Sequence, residues 1–286
     1  FLLYFLPVLI LVYFLLSFSQ KAQNLWLVLS GCAFYALNSY AYTLLFLAAA
    51  LGNFLFGQAV SRCAERGQET KAKWLMAVAC AFNLLPFIVY RHLPAALVSL
   101  GGLLCRDMPF SPAVPFGISF LALHGISYVV DLYRGNVRRS PGFGNAALYP
   151  TFFPTLQAGP VIRYRDMAWQ IEKRKTNSKD AVKGLYRLVT GLAKIVLLAR
   201  PILSVAVIEF NQSNISGIYS AVPASLAWLG LLVYVLGIYH YLSGYSDVVI
   251  GLSAILGFSV PENFSQPQLA ASVGEFWDRC YRSLTE

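Results

Sequence analysis

The chain has 286 residues, 57% of them apolar and 12% charged, with a mean hydropathy of +0.59. Soluble domains carry about 25% charged residues, so this composition excludes an ordinary water-soluble globule and indicates an integral membrane protein. The net charge of +9 reads as the positive bias of cytoplasmic loops; nucleic-acid binding is not expected, because the basic residues flank apolar runs instead of lining a soluble face.

In lipid, only helices and closed barrels satisfy their own backbone. The apolar runs here are continuous, without period-two alternation, so helices are predicted. The first run is Phe1–Phe18. The chain opens on Phe1, not Met, and is read as trimmed or partial; no small-residue cleavage site follows clearly enough to make the run a signal peptide. No charge occurs from Ala22 to Ser61, which allows two crossings or one long bent helix; Leu25–Leu37 and Tyr42–Val60 are the predicted spans. Trp74–Tyr90 and Pro115–Tyr133 follow, separated by an expected loop over 91–114. Ala146–Ile162 is apolar but interrupted by Pro150, Pro154 and Pro160, and is predicted to be re-entrant, with Pro154–Arg163 as a cavity wall. Gly184–Phe210 carries Lys194 and Arg200; Ala221–Leu242 and Val248–Phe258 flank Asp247. From Ser272 onward, Ser272 and Glu275 have capping-box spacing, and Val273, Phe276, Trp277, Cys280 and Leu284 share one face of an amphipathic helix.

Basic loops at 61–73, 131–139 and 163–187 are placed in the cytoplasm by the positive-inside rule. The fold class expected is all-α and polytopic, a single membrane domain over 1–286 with no soluble domain. The five cysteines (Cys32, Cys63, Cys80, Cys105, Cys280) are odd in number and scattered; neither a metal site nor a disulfide framework is expected. His92, His124 and His240 are isolated and read as hydrogen-bonded packing groups.

Three stretches carry candidate chemistry. Asp247, in Ser243-Gly244-Tyr245-Ser246-Asp247, is the only formally charged residue between Phe210 and Pro261. An ionisable group in hydrocarbon is costly and marks a functional site; the alternative is a structural pairing with an arginine. Phe152–Arg165 contains Gly159, which permits close backbone approach, and Arg163, which suits a phosphate or carboxylate; the alternative is a broken helix whose arginine snorkels to headgroups. Glu275-Phe276-Trp277-Asp278-Arg279-Cys280-Tyr281 reads either as part of the site or as an interfacial aromatic belt.

Taken in order, Pro115-Phe116-Gly117-Ile118-Ser119-Phe120, Asp131-Leu132-Tyr133-Arg134-Gly135, Phe152-Phe153-Pro154, Ala158–Tyr164, Gly191-Leu192-Ala193-Lys194, Ser243–Asp247, Pro261-Glu262-Asn263-Phe264 and Glu275-Phe276-Trp277 resemble the membrane-bound O-acyltransferase (MBOAT) family. The resemblance is to its bacterial branch of alginate O-acetyltransferases and D-alanyl transfer proteins. It implies a helix bundle around a funnel, in the bacterial inner membrane. An acyl group would pass from a cytoplasmic thioester donor, acetyl-CoA or an acyl carrier protein, to an extracytoplasmic polysaccharide or partner protein. The details at Tyr133–Gly135 and Gly191–Lys194 favour acetyl over D-alanyl. Under the resemblance, Gln157, Gly159, Pro160, Arg163, Tyr245, Asp247, Glu262, Asn263, Trp277 and Arg279 line the funnel. The family's principal histidine is expected beyond Glu286, and Tyr281 stands at a second family histidine position, so no residue is assigned as catalytic with certainty. A tyrosine is a poor general base at neutral pH, which keeps a non-catalytic scaffold as an alternative; a transporter with Asp247 as coupling carboxylate is a further one.

Overall fold

A helix satisfies its own backbone where water is absent, and the described residues of the predicted apolar runs are mostly helical, apart from Ala146–Ile162, where the prolines break the helix. The structure, a computed structural model, describes residues 3–38, 40–104, 113–137, 142–156, 159–174, 176–205 and 223–285. The chain divides into two compact units, residues 1–157 with 161–174 and residues 158–160 with 175–286.

The first unit holds α1 (Phe5–Leu15), α2 (Gln20–Asn38), α3 (Tyr40–Glu65), α4 (Glu69–Phe87), α5 (Leu93–Leu104), α6 (Ile118–Tyr133), α7 (Phe143–Thr151) and α8 (Tyr164–Lys173). The uncharged stretch over 22–61 thus forms two helices, not one. The loop expected over 91–114 is partly helix. Pro86 lies inside α4, and a π-helical turn over Ile88–His92 joins α4 to α5. The wider turn lets the carbonyls near the proline find later donors, so Glu69–Leu100 runs on as one segment long and apolar enough to cross a membrane. Arg91 and His92 are therefore helical residues.

Where α3, α4 and α6 pack, two buried amides close on each other. Asn53 Nδ2 donates to Asn83 Oδ1 at 2.8 Å, and Asn83 Nδ2 donates to Asn53 Oδ1 at 2.7 Å. Each amide also donates to the carbonyl four residues earlier, at 2.9 Å. Gly125 of α6 lies directly against this pair, with no room for a side chain. The proline-broken segment is a short helix, α7, then an extended Phe152 and a 3-10 turn over Phe153–Thr155; Arg163 is again extended. Residues 146–156 are buried, as non-helical backbone in a membrane protein must be.

The second unit holds α9 (Ser178–Ala193), α10 (Ala224–Ile255), α11 (Val273–Arg279) and α12 (Arg282–Thr285). A π-helical stretch, Lys194–Ala199, carries α9 on to Val205. Ser178–Val205 and Ala224–Ile255, with Tyr42–Glu65 and Glu69–Leu100 of the first unit, are long and apolar enough to span a membrane. Helix α10 is unbroken through Asp247, where the sequence suggested two flanking segments. Glycines set the approach of α9 to α10: a Cβ on Gly184 would stand 2.6 Å from the Gly251 carbonyl oxygen, and one on Gly191 would stand 2.7 Å from that of Gly244. Small residues of this kind let membrane helices meet backbone to backbone.

The C-terminal amphipathic helix is shorter than its periodicity suggests. Ser272 caps α11 by accepting from the Glu275 amide at 3.1 Å. The helix stops at Arg279, because Cys280 is extended and Tyr281 has φ +55°. Cys280 instead pairs with Phe264 in an isolated antiparallel bridge, the only β-bridge among the described residues. The backbone after Arg279 serves this bridge rather than a longer helix.

Candidate functional site

In the second unit, α9 and α10 carry a cluster of opposite charges. Seven residues separate Arg187 from Lys194, which puts both on one face of α9 and its continuation. Asp247 Oδ1 accepts from Arg187 Nε at 3.0 Å and Nη2 at 2.9 Å, and Oδ2 accepts from Lys194 Nζ at 2.5 Å. The guanidinium also grips both oxygens of Glu262. Lys194 Nζ reaches Ser243 Oγ at 3.3 Å. Two cations thus face two carboxylates, and the cluster is neutral overall. That balance explains why α10 need not break at Asp247: the charge, with only 12% of its side chain exposed, is paired on both oxygens.

The cluster forms one wall of a cavity of about 470 Å³, to which Tyr239, Ser246, Asn263, Phe264, Ser265 and Gln266 also contribute. Asn263 is buried and its side chain is fully engaged: Nδ2 donates to Ser246 Oγ at 3.2 Å, and Oδ1 accepts from Ser283 Oγ at 2.9 Å. The loop that follows α10 is therefore pinned to the middle of α10 and to α12. Charged groups, hydroxyls, amides and a phenol line most of this space, beside Ile250 and Phe264, so it suits a hydrophilic guest. Lys194 also opens the π-helical stretch of α9, a feature frequent at functional sites.

The predicted site residues separate into those at this cavity and those elsewhere. Asp247, Glu262 and Asn263 line it. Gly159, with φ +117°, and Pro160 are buried; a Cβ on Gly159 would stand 2.8 Å from Val249 of α10, so only glycine fits there. Tyr245 does not line the cavity and packs against Tyr241, ring centroids 4.9 Å apart. Trp277 is 56% exposed, and Arg279 pairs with Glu275 at 2.5 Å, one turn earlier on α11. Tyr281 stacks edge-on against Phe264 at 5.1 Å, and burial raises its phenol above the usual tyrosine value. Gln157 lies outside the described residues.

Arg163 belongs to the first unit, where three side chains fix the backbone on either side of it. Tyr149 Oη donates to the Ile162 carbonyl at 2.7 Å, the Tyr164 amide donates to Ser127 Oγ at 3.0 Å, and the Arg165 amide donates to Asp131 Oδ2 at 3.0 Å. Asp131 also accepts from Asn136 Nδ2 at 2.8 Å. It serves as the N-terminal cap of α8 from another helix, because Arg163 at the cap position offers no side-chain acceptor. The histidines behave differently from one another. His240 Nδ1 lies 2.8 Å from the Leu236 carbonyl oxygen, as a packing histidine should. His124 departs from that expectation: it is 1% exposed, and neither ring nitrogen has a hydrogen-bond partner among the described residues. It is held by ring packing on Tyr149, at 5.0 Å.

Arg187, Lys194 and Tyr239 were not singled out as site residues by sequence, whereas Ser246 stands in the Ser243–Asp247 motif that was. A usable signal existed: an intramembrane carboxylate requires a cation, and Arg187 and Lys194 stand seven positions apart on α9 and its continuation, with Gly191 between them.

A model of the MBOAT, membrane-bound O-acyltransferase family matches residues 132–281, from the end of α6 through α11. The chain belongs to this family and is a multi-pass integral membrane protein. Over its whole length it is 32% identical to the "Probable alginate O-acetylase AlgI" of Pseudomonas syringae pv. tomato, covering 54% of that protein. It is 27% identical to a peptidoglycan O-acetyltransferase of Helicobacter pylori, over 98% of this chain and 58% of the relative. Against a teichoic acid D-alanyltransferase of Bacillus subtilis it is 28% identical, over 69% of this chain and 50% of the relative. The chain thus spans about half the length of the curated relatives it matches.

Proposed function

We propose that the chain forms part of a membrane O-acyltransferase of the bacterial inner membrane, which passes an acetyl group from a cytoplasmic thioester donor, acetyl-CoA or an acyl carrier protein, to a hydroxyl of an extracytoplasmic envelope acceptor. Family membership supports the reaction class. The single observation that carries the site assignment is the polar, charge-neutral cavity around Asp247 on two membrane helices. The names of the O-acetylating relatives favour acetyl, and envelope polymers as acceptors. The basic stretches at 61–73, 131–139 and 163–187, which the sequence suggested as loops and of which the last forms α8 and the start of α9, favour a cytoplasmic donor side.

In such a transfer the acceptor oxygen attacks the thioester carbonyl, the new C–O ester bond forms and the C–S bond breaks. The hydroxyl proton passes to a base and then to the departing thiolate. The resemblance implies a histidine as base, expected beyond Glu286. The residues described here would act on the surroundings of that step. Arg187 and Lys194 hold the Asp247 side chain in place, and Ser243 and Ser246 offer hydrogen bonds to a hydrophilic guest. Water can enter a cavity lined this way, so a thiol-bearing arm or a hydroxylated acceptor can be accommodated without stripping its polar groups bare.

The test uses the full-length protein in proteoliposomes, with radiolabelled acetyl-CoA and, in parallel, a D-alanyl thioester, against alginate oligosaccharides and peptidoglycan fragments. Labelled ester is expected from the acetyl donor, reduced at least about tenfold, or about 1.4 kcal/mol, by Lys194→Met with the fold retained. Transfer unaffected by Lys194→Met and Asp247→Asn would refute the site assignment. Absence of transfer from either thioester would refute the enzyme reading, and transfer from the D-alanyl donor alone would refute acetyl.

A further inference from the structure

The first unit contains a second cavity, of about 230 Å³, at the end of the apolar helix α6 and along α8. Its long wall is one face of α8, on which Arg165, Trp169 and Glu172 follow at intervals of four and three residues. Asn136, three residues past α6, Asn145, in the first turn of α7, and Tyr164 complete the polar lining.

The charges on this face are underused. The Arg165 guanidinium has one ion pair among the described residues, a loose one to its chain neighbour Asp166 at 3.6 Å, with both side chains about half exposed. Glu172 has no ion-pair partner among the described residues. Trp169 is 61% exposed. The Asn145 side-chain oxygen accepts from Asn24 at 3.0 Å, which leaves its amide nitrogen for a guest.

Both charges also oppose the helix dipole. The positive end of a helix is its N-terminus and the negative end its C-terminus. Asp166 in the first turn and Lys173 in the last comply with this. Arg165 is the second residue of α8 and Glu172 the last but one, so each sits at the end of its own sign. Helix stability alone would place them the other way round. A guest carrying an anion at the α8 N-terminal end and a cation at the C-terminal end would neutralise both side chains and align with the dipole. The indole of Trp169 between them suits a cation over its face.

We propose that this cavity binds a phosphoethanolamine zwitterion, supplied as the headgroup of a membrane phospholipid, with its phosphate on Arg165 and Asn145 and its ammonium on Glu172 and Trp169. A phosphate fits a guanidinium by paired hydrogen bonds, and Asn136 and Val137 follow directly on an apolar helix, where a headgroup layer begins. A purely anionic headgroup would meet Glu172 unfavourably, so the site discriminates against phosphatidylglycerol. The assignment is independent of acyl transfer.

The experiment is native mass spectrometry of the full-length protein, released from micelles doped with equal amounts of phosphatidylethanolamine and phosphatidylglycerol. The wild type is expected to retain phosphatidylethanolamine about fivefold to tenfold in preference. Glu172→Gln should abolish that preference, Arg165→Ala should lower retention of both lipids, and Trp169→Leu should weaken the ethanolamine lipid alone. Lys173→Met, on the same turn but outside the cavity, should leave the preference unchanged. Circular dichroism confirms the fold of each variant, and Trp169→Leu tests the site if a charge variant fails to fold. Equal or better retention of phosphatidylglycerol by the wild type, or an unchanged preference in Glu172→Gln, overturns the proposal. Displacement of the bound lipid by millimolar soluble phosphoethanolamine would overturn its lipid source and assign the site to a free metabolite.

Discussion

Gly191 of α9 touches Asp247 of α10: a Cβ built on the glycine would stand 2.9 Å from the Cβ of the aspartate, and 2.7 Å from the Gly244 carbonyl oxygen. The carboxylate that ends between Arg187 and Lys194 is therefore placed by the absence of a side chain opposite it. Backbone cannot yield as a flexible side chain can, so Gly191→Ala should push the two helices apart. The expected cost is about 1–3 kcal/mol, read as a fall of several degrees in thermal unfolding in detergent. Gly144→Ala, in α7 with open space around it, should instead be neutral or stabilise by up to about 1 kcal/mol. Equal melting of Gly191→Ala and wild type would contradict the close approach.

Removal of the carboxylate should cost more than its shape. Asp247→Ala leaves Lys194 without a carboxylate and Arg187 with Glu262 alone. Breaking a fully buried pair costs about 3–5 kcal/mol; here about 2–3 kcal/mol is expected, because Arg187 and Lys194 remain partly wet. Asp247→Ala combined with Lys194→Met should recover part of the loss, since the stranded cation is gone. Denaturant titration of the three proteins checks this, and a double variant less stable than Asp247→Ala would count against the pairing.

The Asn53–Asn83 pair ties α3 to α4 by reciprocal bonds of 2.7 and 2.8 Å. Asn53→Ala leaves both groups of the buried Asn83 amide without that partner, at about 1–3 kcal/mol. Asn83→Ala should cost a similar amount. The double variant should cost less than their sum, with a coupling of about 0.5–3 kcal/mol in a double-mutant cycle. Strict additivity would show that the two amides do not depend on each other.

Glu275 supplies a pH dependence. The Ala271 amide, donating at 2.8 Å, and then Arg279 hold its carboxyl below the usual carboxylate range. A depressed folded-state value stabilises the fold fully above the unfolded value, about 4.3, and that contribution is lost as pH falls through the lower folded value. Glu275→Gln should therefore make the acid limb of the stability profile shallower and leave the alkaline side unchanged. Matching acid limbs in the two proteins would show that these bonds do not act on folding.

The helices were legible because hydrocarbon leaves the backbone little choice: the runs around 5–15, 42–60, 118–133 and 224–242 are helical for the same reason they are apolar. Asp247 was legible too, since a lone carboxylate in such a run requires an explanation. What it pairs with was not. Arg187 counted as a loop charge, sixty residues away, and only the packing of α9 on α10 turns it and Lys194 toward the carboxylate. Pro86 could not announce a π turn that carries the helix onward, because the same residue elsewhere ends one.

Tyr245 shows the limit from the other side. It stands in the same short motif as Asp247 but on another face of α10, and adjacency in a helix is not adjacency in space. The amphipathic pattern after Ser272 ran on to Leu284, yet the bridge between Phe264 and Cys280 ended the helix at Arg279. The sequence by itself determined a helical membrane protein with a buried aspartate, through hydrophobicity and the cost of intramembrane charge, which are properties of single residues and short runs. The tertiary structure alone decided that two cations neutralise that aspartate, that Asp131 caps α8 from another helix, and that Arg165 and Glu172 face one cavity. Those relationships depend on which faces of distant helices meet.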